Sequence, residues 1–231
     1  LTRQSIKPEE VFKGEPKHEQ FCRELVQKIG GIHNYGSYTP YSDKEYRIVF
    51  PGSVGGPNYG GVSFDPGLGY VFVNSRELAG MGKMVKTDAG DLVGYRRQSP
   101  LGPRAANGRF WNPSNQYPCH QPPWAQLMAV NANTGDIAWQ VPLGTSDEME
   151  AAGIHNTGAI GQGGPISTDG GLIFIAGTND KRIRAFDSKN GKQLWEGKLD
   201  SEGHTNPLTY MGRNGKQYVV IVSSGLNAFA L

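Results

Sequence analysis

The chain has 231 residues, of which 33 are Gly and 15 are Pro, so about a fifth of its positions interrupt regular structure. An interior Gly costs a helix about 1 kcal/mol against Ala and an interior Pro about 3 kcal/mol, which excludes a helical bundle or a coiled coil. No Gly-X-Y period runs through the sequence, so a collagen-like chain is excluded as well. The composition therefore predicts a strand-rich globular protein with many turns.

Charge and hydropathy exclude further classes of protein. The 23 Lys and Arg residues nearly balance the 21 Asp and Glu residues, and the basic residues are scattered, so we predict no nucleic-acid partner. No run approaches the roughly 18 apolar residues of a membrane-spanning helix. The sequence starts at Leu1 without an initiator Met or a signal peptide, which suggests a processed product or a fragment of a longer protein.

The beginning of the chain differs from the rest. Residues 1–35 are predicted to form a segment of short helices and irregular structure. Apolar residues recur at helical spacing from His18 to Ile29, and Gly30 follows as a typical helix end.

The two cysteines lie far apart in the sequence. Cys22 and Cys119 are separated by 97 positions and belong to no CxxC motif, which excludes a zinc ribbon, a thioredoxin-type site and a covalent c-type haem. Two alternatives stay open: a disulfide formed in an oxidising compartment, or two free buried thiols.

After residue 35 the pattern changes to a period of two, in short apolar runs bounded by Gly, Pro, Asn and Asp. This pattern predicts strands. The predicted strands are Val62–Phe64, Tyr70–Val73, Gln126–Val130, Ile137–Val141, Pro165–Thr168, Leu172–Ala176, Arg182–Phe186, Gln193–Lys198, Gln217–Ser223 and Asn227–Ala230. Between Ala79 and Trp124 the sequence has little periodicity, so we predict an insertion that carries function or an ordered cap.

A repeat organises these strands. Residues 129–139 and 185–195 both fit Ala-x-[Asp/Asn]-x-x-x-Gly-x-x-x-Trp, at an offset of 56. Asp or Asn opens a turn, Gly takes a positive φ, and the returning strand places Trp against a neighbouring sheet. With the strand pairs that precede them, these hairpins predict four-stranded units of the size of a propeller blade.

The repeat also predicts the domain organisation. A C-terminal domain, 36–231, would contain one blade at 62–141 with the insertion 79–124 inside it, a second blade at 165–198 and a partial blade at 207–231. Two and a half blades leave sheet faces uncovered at both ends. We therefore expect the chain to be the C-terminal part of a larger propeller, or to be completed by another chain.

Four further segments resemble the dehydrogenases that depend on pyrroloquinoline quinone (PQQ). The segments are PGSVGGPNYGGVSFDP at 51–66, CHQPPW at 119–124, GGPIST at 163–168 and KQYVVI at 216–221. The chain is most similar to the membrane-bound glucose, quinate and shikimate dehydrogenase group, over about residues 36–225. The resemblance implies an all-β fold and the last third or so of an eight-bladed propeller.

The resemblance implies a reaction as well. In this family PQQ, held over the propeller axis with Ca²⁺, oxidises a sugar, a polyol or another alcohol and passes the electrons to a membrane quinone or a haem protein. The catalytic Asp and the calcium ligands would lie in earlier blades, outside this chain. The family implies a periplasmic location, with any membrane attachment through an N-terminal region that this chain lacks.

The resemblance assigns three residues to the cofactor. Asp180 occupies the family position that bonds the quinone, where a carboxylate would accept a hydrogen bond or orient a neighbouring cation; a plain Asn-Asp turn fits the sequence equally well. Asn58, in the Gly-rich loop 55–61, would donate to a quinone oxygen or belong to a purely structural loop. Gln162 stands where alcohol-oxidising relatives carry Trp and sugar-oxidising ones an aliphatic residue, so it predicts a different lining of the site.

Two residues are predicted to line the substrate entrance. Trp124 lies in a Pro-rich loop, where a Trp is also a common packing anchor. Leu226 follows Ser-Ser-Gly at 223–225, where sugar-oxidising relatives carry Gly-Gly-His, so the sequence does not favour glucose as the substrate. The five His residues form no HxH or HExxH pair, so no metal site is predicted within the chain.

Three interpretations follow. The chain is part of a quinoprotein dehydrogenase, a non-catalytic propeller that serves as a scaffold or sensor, or an inactive remnant. The enzyme-like surroundings of Asn58 and Asp180, together with the long insertion, favour the enzyme.

Overall fold

A computed structural model describes residues 1–88, 94–102 and 108–231. Two parts of the predicted insertion, 89–93 and 103–107, lie outside the described residues. The chain divides into two compact units, the first made of 1–56 and 77–122 and the second of 57–76 and 123–231. Within the described ranges, no helix has the length and apolar character needed to cross a membrane.

Strands dominate the secondary structure. The helices are the short 3-10 helix Pro8–Glu10, α1 Pro16–Lys28 and α2 Asp147–Ala151. The strands are β1 Arg47–Val49, β2 Val62–Asp65, β3 Tyr70–Arg76, β4 Gly80–Lys86, β5 Tyr95–Gln98, β6 Ala125–Asn131, β7 Ile137–Pro142, β8 Ile166–Ser167, β9 Leu172–Ile175, β10 Arg182–Asp187, β11 Gln193–Lys198, β12 Leu208–Met211, β13 Gln217–Val222 and β14 Leu226–Ala230.

In the first unit, helix α1 is fixed by a cap and a disulfide. The carboxylate of Glu15 accepts hydrogen bonds from two amides of the first turn, as a helix N-cap does. The buried side chains of α1, His18, Cys22 and Leu25, recur at helical spacing. Cys22 is bonded to Cys119, so the first of the two alternatives for the cysteines is the observed one.

The chain around Cys119 is held by backbone pairing and by a buried histidine. The amide of Phe12 donates to the carbonyl oxygen of Cys119 at 3.0 Å. The ring nitrogens of His120 face the carbonyl oxygens of Glu77 and, at 2.8 Å, of Gln121. Complete burial lowers the pKa of His120 to about 4, because the charged imidazolium loses its hydration. The first unit also contains the antiparallel sheet β1-β4-β5.

The second unit contains three antiparallel sheets. The first sheet has the order β2-β3-β6-β7, the second β8-β9-β10-β11 and the third β12-β13-β14. The predicted all-β fold is thereby confirmed. The three sheets do not close into a ring, as a partial propeller requires.

The two repeated Trp residues join neighbouring sheets, as the repeat predicts. Nε1 of Trp139 on β7 donates to the carbonyl oxygen of Ser188 in the second sheet at 3.0 Å. A Cβ on Gly191 would come within 2.5 Å of the Trp139 ring, so the indole lies directly on that turn. Trp195 on β11 packs edge-on against Phe229 of the third sheet, with 5.2 Å between ring centroids.

Successive side chains of a strand point to opposite faces of its sheet. The second sheet packs against a neighbouring sheet on each of these faces. On β9, Ile173 belongs to a core shared with the first sheet, and Phe174 belongs to a core shared with the third. The third sheet packs only one face in this way. On its other face, within the described chain, Leu208 is 55% and Leu226 is 73% exposed.

Candidate functional site

Three loops meet in the second unit, each leading into the first strand of a sheet. They are 57–61 before β2, 161–165 before β8 and 203–207 before β12, and we call them together the loop junction. A Cβ on Gly164 would lie 1.9 Å from the carbonyl oxygen of Gly60, and a Cβ on Gly60 would lie 2.2 Å from the amide nitrogen of Gly164. Only glycine permits such an approach of two backbones.

A single asparagine ties the three loops together. Oδ1 of Asn206 accepts from the amide of Gly164 at 2.8 Å, and its Nδ2 donates to the carbonyl oxygen of Gly60 at 2.7 Å. The hydroxyl of Tyr59 donates to the carbonyl oxygen of His204 at 3.0 Å. The loop junction is therefore held by hydrogen bonds as well as by the glycine contact.

Two buried polar side chains on β3 hold the loop 161–165 by hydrogen bonds. Nδ2 of Asn74 donates to the carbonyl oxygen of Gly163 at 3.0 Å, and a guanidinium nitrogen of Arg76 donates to that of Gly161 at 3.2 Å. Both side chains are buried. Since a buried carbonyl without a partner costs about 1–3 kcal/mol, these bonds fix the position of the loop.

The loop junction places two predicted site residues at equivalent positions. Asn58 and Gln162 each stand two residues before the glycine of the backbone contact, Gly60 and Gly164 respectively. Both residues are half-buried. Asn58 and Gln162 therefore occupy corresponding backbone positions in the loops before β2 and β8.

Asp180 lies in the turn between β9 and β10, and its carboxylate is occupied by the protein itself. Oδ1 accepts from the Thr178 hydroxyl at 2.6 Å, and Oδ2 accepts from the Thr145 amide at 2.9 Å. Arg184 pairs with Oδ2 at 2.5 Å, and the side chains of Asp180 and Arg184 are only 3% and 2% exposed. The carboxylate therefore already has three partners within the protein, and its role toward a cofactor stays a prediction.

The arginine beside this pair extends the network of charges. Arg182 forms ion pairs with Asp147 of α2 at 2.8 Å and with Glu196 of β11 at 2.8 Å. Glu196 also lies 3.2 Å from a guanidinium nitrogen of Arg184. The turn that carries Asp180 is thus fixed to α2 and to β11.

The remaining predicted residues lie on other elements. Trp124 is 1% exposed, so its side chain is buried within the described chain. Leu226 begins β14 on the uncovered face of the third sheet. Asn58 and Gln162 therefore both lie in the loop junction, and the cofactor roles of these two residues and the substrate-lining roles of Trp124 and Leu226 stay predictions.

Two functional candidates were missed in the sequence. Asn206 precedes Pro207 as Gly164 precedes Pro165, and aligning all three sheet entries would have singled it out. Arg184 follows Asp180 at i+4, between two apolar residues of a predicted strand. A charged residue within an apolar run is a signal for a buried ion pair.

The sequence was compared with known families and proteins. The family model described as "PQQ: Glucose/ethanol/alcohol dehydrogenase, beta-propeller domain" matches residues 1–219. A quinate/shikimate dehydrogenase (quinone) from Acinetobacter baylyi is 34% identical over 96% of this chain and 29% of its own length. A probable quinate dehydrogenase (quinone) from Xanthomonas campestris pv. juglandis is 41% identical over 82% of this chain and 26% of its own. The Escherichia coli quinoprotein glucose dehydrogenase is 35% identical over 84% of this chain and 26% of its own.

Solved structures show the same fold at lower identity. A quinohemoprotein alcohol dehydrogenase from Pseudomonas putida HK5 matches with a TM-score of 0.53 at 21% identity, over 80% of this chain and 24% of that one. A europium-containing methanol dehydrogenase matches with a TM-score of 0.52 at 24% identity, over 75% of this chain and 26% of that one. The chain thus spans 24–29% of the length of these proteins.

Proposed function

Because the chain belongs to the family of PQQ-dependent dehydrogenases with a β-propeller domain, we propose that it is the C-terminal portion of a quinoprotein that oxidises a sugar, a polyol or another alcohol. The relatives are named for quinate, shikimate, glucose and glycerol, which are all CH–OH compounds, and two of the names specify a quinone. We therefore propose a polyhydroxylated substrate and a membrane quinone as electron acceptor. The observation that supports the proposal is the loop junction, in which two loops that carry Asn58 and Gln162 meet through the backbone contact of Gly60 and Gly164.

The residues of the loop junction fit the cofactor chemically. PQQ has quinone and carboxylate oxygens, which accept hydrogen bonds, and the amide groups of Asn58 and Gln162 supply donors. When bound, PQQ takes up the two electrons that leave the substrate. Asn58 and Gln162 would orient it, and the close backbone contact between Gly60 and Gly164 would keep water from passing between the two sheets there.

Asp180 has a positioning role in this proposal. Its oxygens are already used by Thr145, Thr178 and Arg184, so it would fix the turn at the end of β9 and hold Arg184 in place. Ca²⁺ prefers oxygen ligands, carboxylates above all, and among the described residues no group of three or more Asp and Glu side chains lies close enough to share an ion. The group of His and Cys residues close enough to share an ion there, His18 with Cys22 and Cys119, includes the disulfide. We assign the calcium ligands and the catalytic Asp to parts of the protein beyond this chain.

The uncovered face of the third sheet indicates what the chain packs against in the complete protein. Trp139 of the first sheet lies on the second, and Trp195 of the second lies on the third. By the same rule, the apolar face with Leu208 and Leu226 would be covered by a further sheet of the repeat, from the same polypeptide or from another chain. The lengths of the relatives support this, since the chain spans only 26–29% of them.

The disulfide supports a periplasmic location, because such bonds persist in oxidising compartments. The scaffold or sensor interpretation is not favoured, since the matching family model and the relatives named above are dehydrogenases. An inactive remnant could have the same fold as an active enzyme. A measurement of activity therefore distinguishes these two interpretations.

The test is reconstitution of the complete protein with PQQ and Ca²⁺. Asn58→Ala and Gln162→Ala should each raise the PQQ concentration at half-maximal activity about tenfold, the value of one hydrogen bond to a charged or strongly polar acceptor. Gln193→Ala, on the exposed strand β11, is the matched control and should titrate like the parent. Unchanged titration of both loop variants would refute their assignment, and no oxidation of any alcohol by the loaded parent would refute the function.

A further inference from the structure

A cavity of about 420 Å³ lies in the second unit, between turns of the first and second sheets. The turn β2–β3 contributes Asp65 to its lining, the turn β8–β9 contributes Asp169 and Gly171, and the turn β10–β11 contributes Ser188 and Lys189. We call this cavity the turn pocket. Strand β10 begins just after Asp180 and ends just before Ser188, so the turn pocket is at the opposite end of a strand roughly 17 Å long.

A buried hydroxyl without a partner lines the turn pocket. Ser188 is 1% exposed, its amide donates to the carbonyl oxygen of Gly171 at 2.9 Å, and its carbonyl oxygen accepts from Trp139 at 3.0 Å. Its Oγ has no hydrogen-bond partner among the described residues. A Cβ on Gly171 would lie 3.5 Å from that Oγ, so the missing side chain leaves space beside the hydroxyl. This hydroxyl is closed to solvent, so Ser188 forms part of the wall of the turn pocket and the groups that a ligand could reach are the exposed ones.

The charges and the apolar surface of the turn pocket restrict the ligand. Asp65 accepts two turn amides through Oδ1, which leaves Oδ2 available, and Asp169 is exposed. Within the described chain no ion pair joins Lys189 to a carboxylate, so an ammonium group is available beside two acceptors. Phe64, which is 51% exposed, adds an aromatic surface to the same lining.

We propose that the turn pocket binds a neutral, hydroxyl-rich molecule of the size of a mono- or disaccharide. The carboxylates of Asp65 and Asp169 would accept hydrogen bonds from hydroxyl groups, Lys189 would donate, and the Phe64 ring would contact the apolar face of a sugar ring. An apolar surface with a few convergent polar groups is the usual composition of a ligand site, and the volume lies within the range of roughly 300–1,000 Å³ for such sites.

Other ligand classes fit less well. Two carboxylates repel an anion such as phosphate, and the Lys189 ammonium repels an organic cation. A metal ion would need three converging ligand groups, and among the described residues no such set includes Asp65 or Asp169. The proposal does not depend on the proposed oxidation, because the turn pocket is at the other end of the strands from the loop junction.

The experiment uses the indole N–H resonances of the four Trp residues in the 231-residue chain. Methyl α-D-glucoside and trehalose are the probes, since neither has a free anomeric carbon. The indole of Trp139 donates to Ser188, so its ¹H and ¹⁵N shifts should change saturably with either probe. The other three indoles serve as internal controls and should not move.

Single substitutions test whether the probes bind in the turn pocket. Lys189→Met and Asp169→Asn should each weaken binding about tenfold, the effect of removing one hydrogen bond to a charged group. Lys192→Met, in the same turn but outside the pocket lining, should bind like the parent.

Several results would overturn the proposal. They are the absence of a saturable Trp139 shift, equal shifts of all four indoles, or unchanged affinity in both Lys189→Met and Asp169→Asn. A shift of Trp139 by benzylammonium but not by the sugars would overturn it in favour of an organic cation. None of these measurements requires PQQ or turnover, so failure here is distinct from failure of the proposed oxidation.

Discussion

Asp180→Ala tests how the turn between β9 and β10 is held. Asp180 and Arg184 are both almost completely buried, and removing one partner of a buried ion pair costs about 3–5 kcal/mol because the other charge loses its counterion. The substitution also leaves the Thr145 amide and the Thr178 hydroxyl without this acceptor. Glu196, at 3.2 Å from Arg184, offsets part of the loss. We expect the free energy of unfolding to fall by about 3–5 kcal/mol.

A double-mutant cycle separates the ion pair from its surroundings. Asp180→Ala, Arg184→Met and the double variant are compared with the parent by urea unfolding, followed by tryptophan fluorescence. The double variant removes both charges, so it should cost less than the sum of the single variants, with a coupling of about 2–3 kcal/mol. Additive costs, or a loss below about 1 kcal/mol in Asp180→Ala, would refute a buried and coupled pair.

The same variants test the positioning role toward the cofactor. If Asp180 acts through Arg184, then Arg184→Met should raise the PQQ concentration for half-maximal activity of the complete protein about as much as Asp180→Ala. A direct bond from Asp180 to the cofactor predicts a different result, in which Arg184→Met retains the parent's titration. The comparison is between the rise in half-maximal PQQ concentration in Asp180→Ala and the rise in Arg184→Met. A general loss of stability would not by itself make these two rises equal.

Three further predictions concern the disulfide, the buried His120 and the glycine contact. Reduction of the protein, or Cys22→Ser with Cys119→Ser, should lower the free energy of unfolding in urea by about 4–5 kcal/mol, since the disulfide closes a loop of 97 positions. Burial lowers the pKa of His120 from 6.5 to about 4. The neutral, buried His120 therefore contributes its full stabilisation of the fold above pH 6.5, and this stabilisation is lost as the pH falls to 4. In His120→Gln, the free energy of unfolding should change less between pH 6.5 and 4, by roughly 3 kcal/mol. Gly164→Ala, whose Cβ would lie 1.9 Å from the facing carbonyl oxygen, should cost about 3 kcal/mol or more in thermal unfolding, whereas Gly61→Ala, with a φ of +68° and open space, should cost about 1 kcal/mol.

The fold could be predicted where the signal is local. The hairpins that end in Trp139 and Trp195 carry their turn residues and docking side chain within eleven positions, so the repeat exposes them. Strands β4 and β5 were missed because their region has no regular alternation. Gly80 on β4 lies where a Cβ would come within 2.6 Å of the Tyr41 hydroxyl, and such a distant contact leaves no pattern in the sequence. Strand β12 was missed because all of its residues are exposed, so burial imposes no period on it.

The candidate site follows the same rule. Asn58 and Gln162 were predicted from the family resemblance, whereas their equivalent positions follow from the contact between Gly60 and Gly164 in the structure. The occupancy of the Asp180 carboxylate could not be foreseen, because Thr145 approaches it from 35 positions away. The disulfide between Cys22 and Cys119 was left open for the same reason, since only the folded chain brings the two cysteines together.

The loop junction and the uncovered face of the third sheet are physically connected. Asn206 joins the loops before β2 and β8, but it precedes β12, which lies in the sheet whose other face is uncovered. A sheet packed on one face only is less stable than one packed on both, because less apolar surface is removed from water. Covering Leu208 and Leu226 with a further sheet would therefore stabilise β12 and, through Asn206, the position of Asn58 and Gln162. Completion of the propeller and formation of the cofactor contacts should accordingly be coupled: whatever covers the third sheet also raises the affinity of the loop junction for its ligand, and a bound ligand favours the covered state by the same free energy.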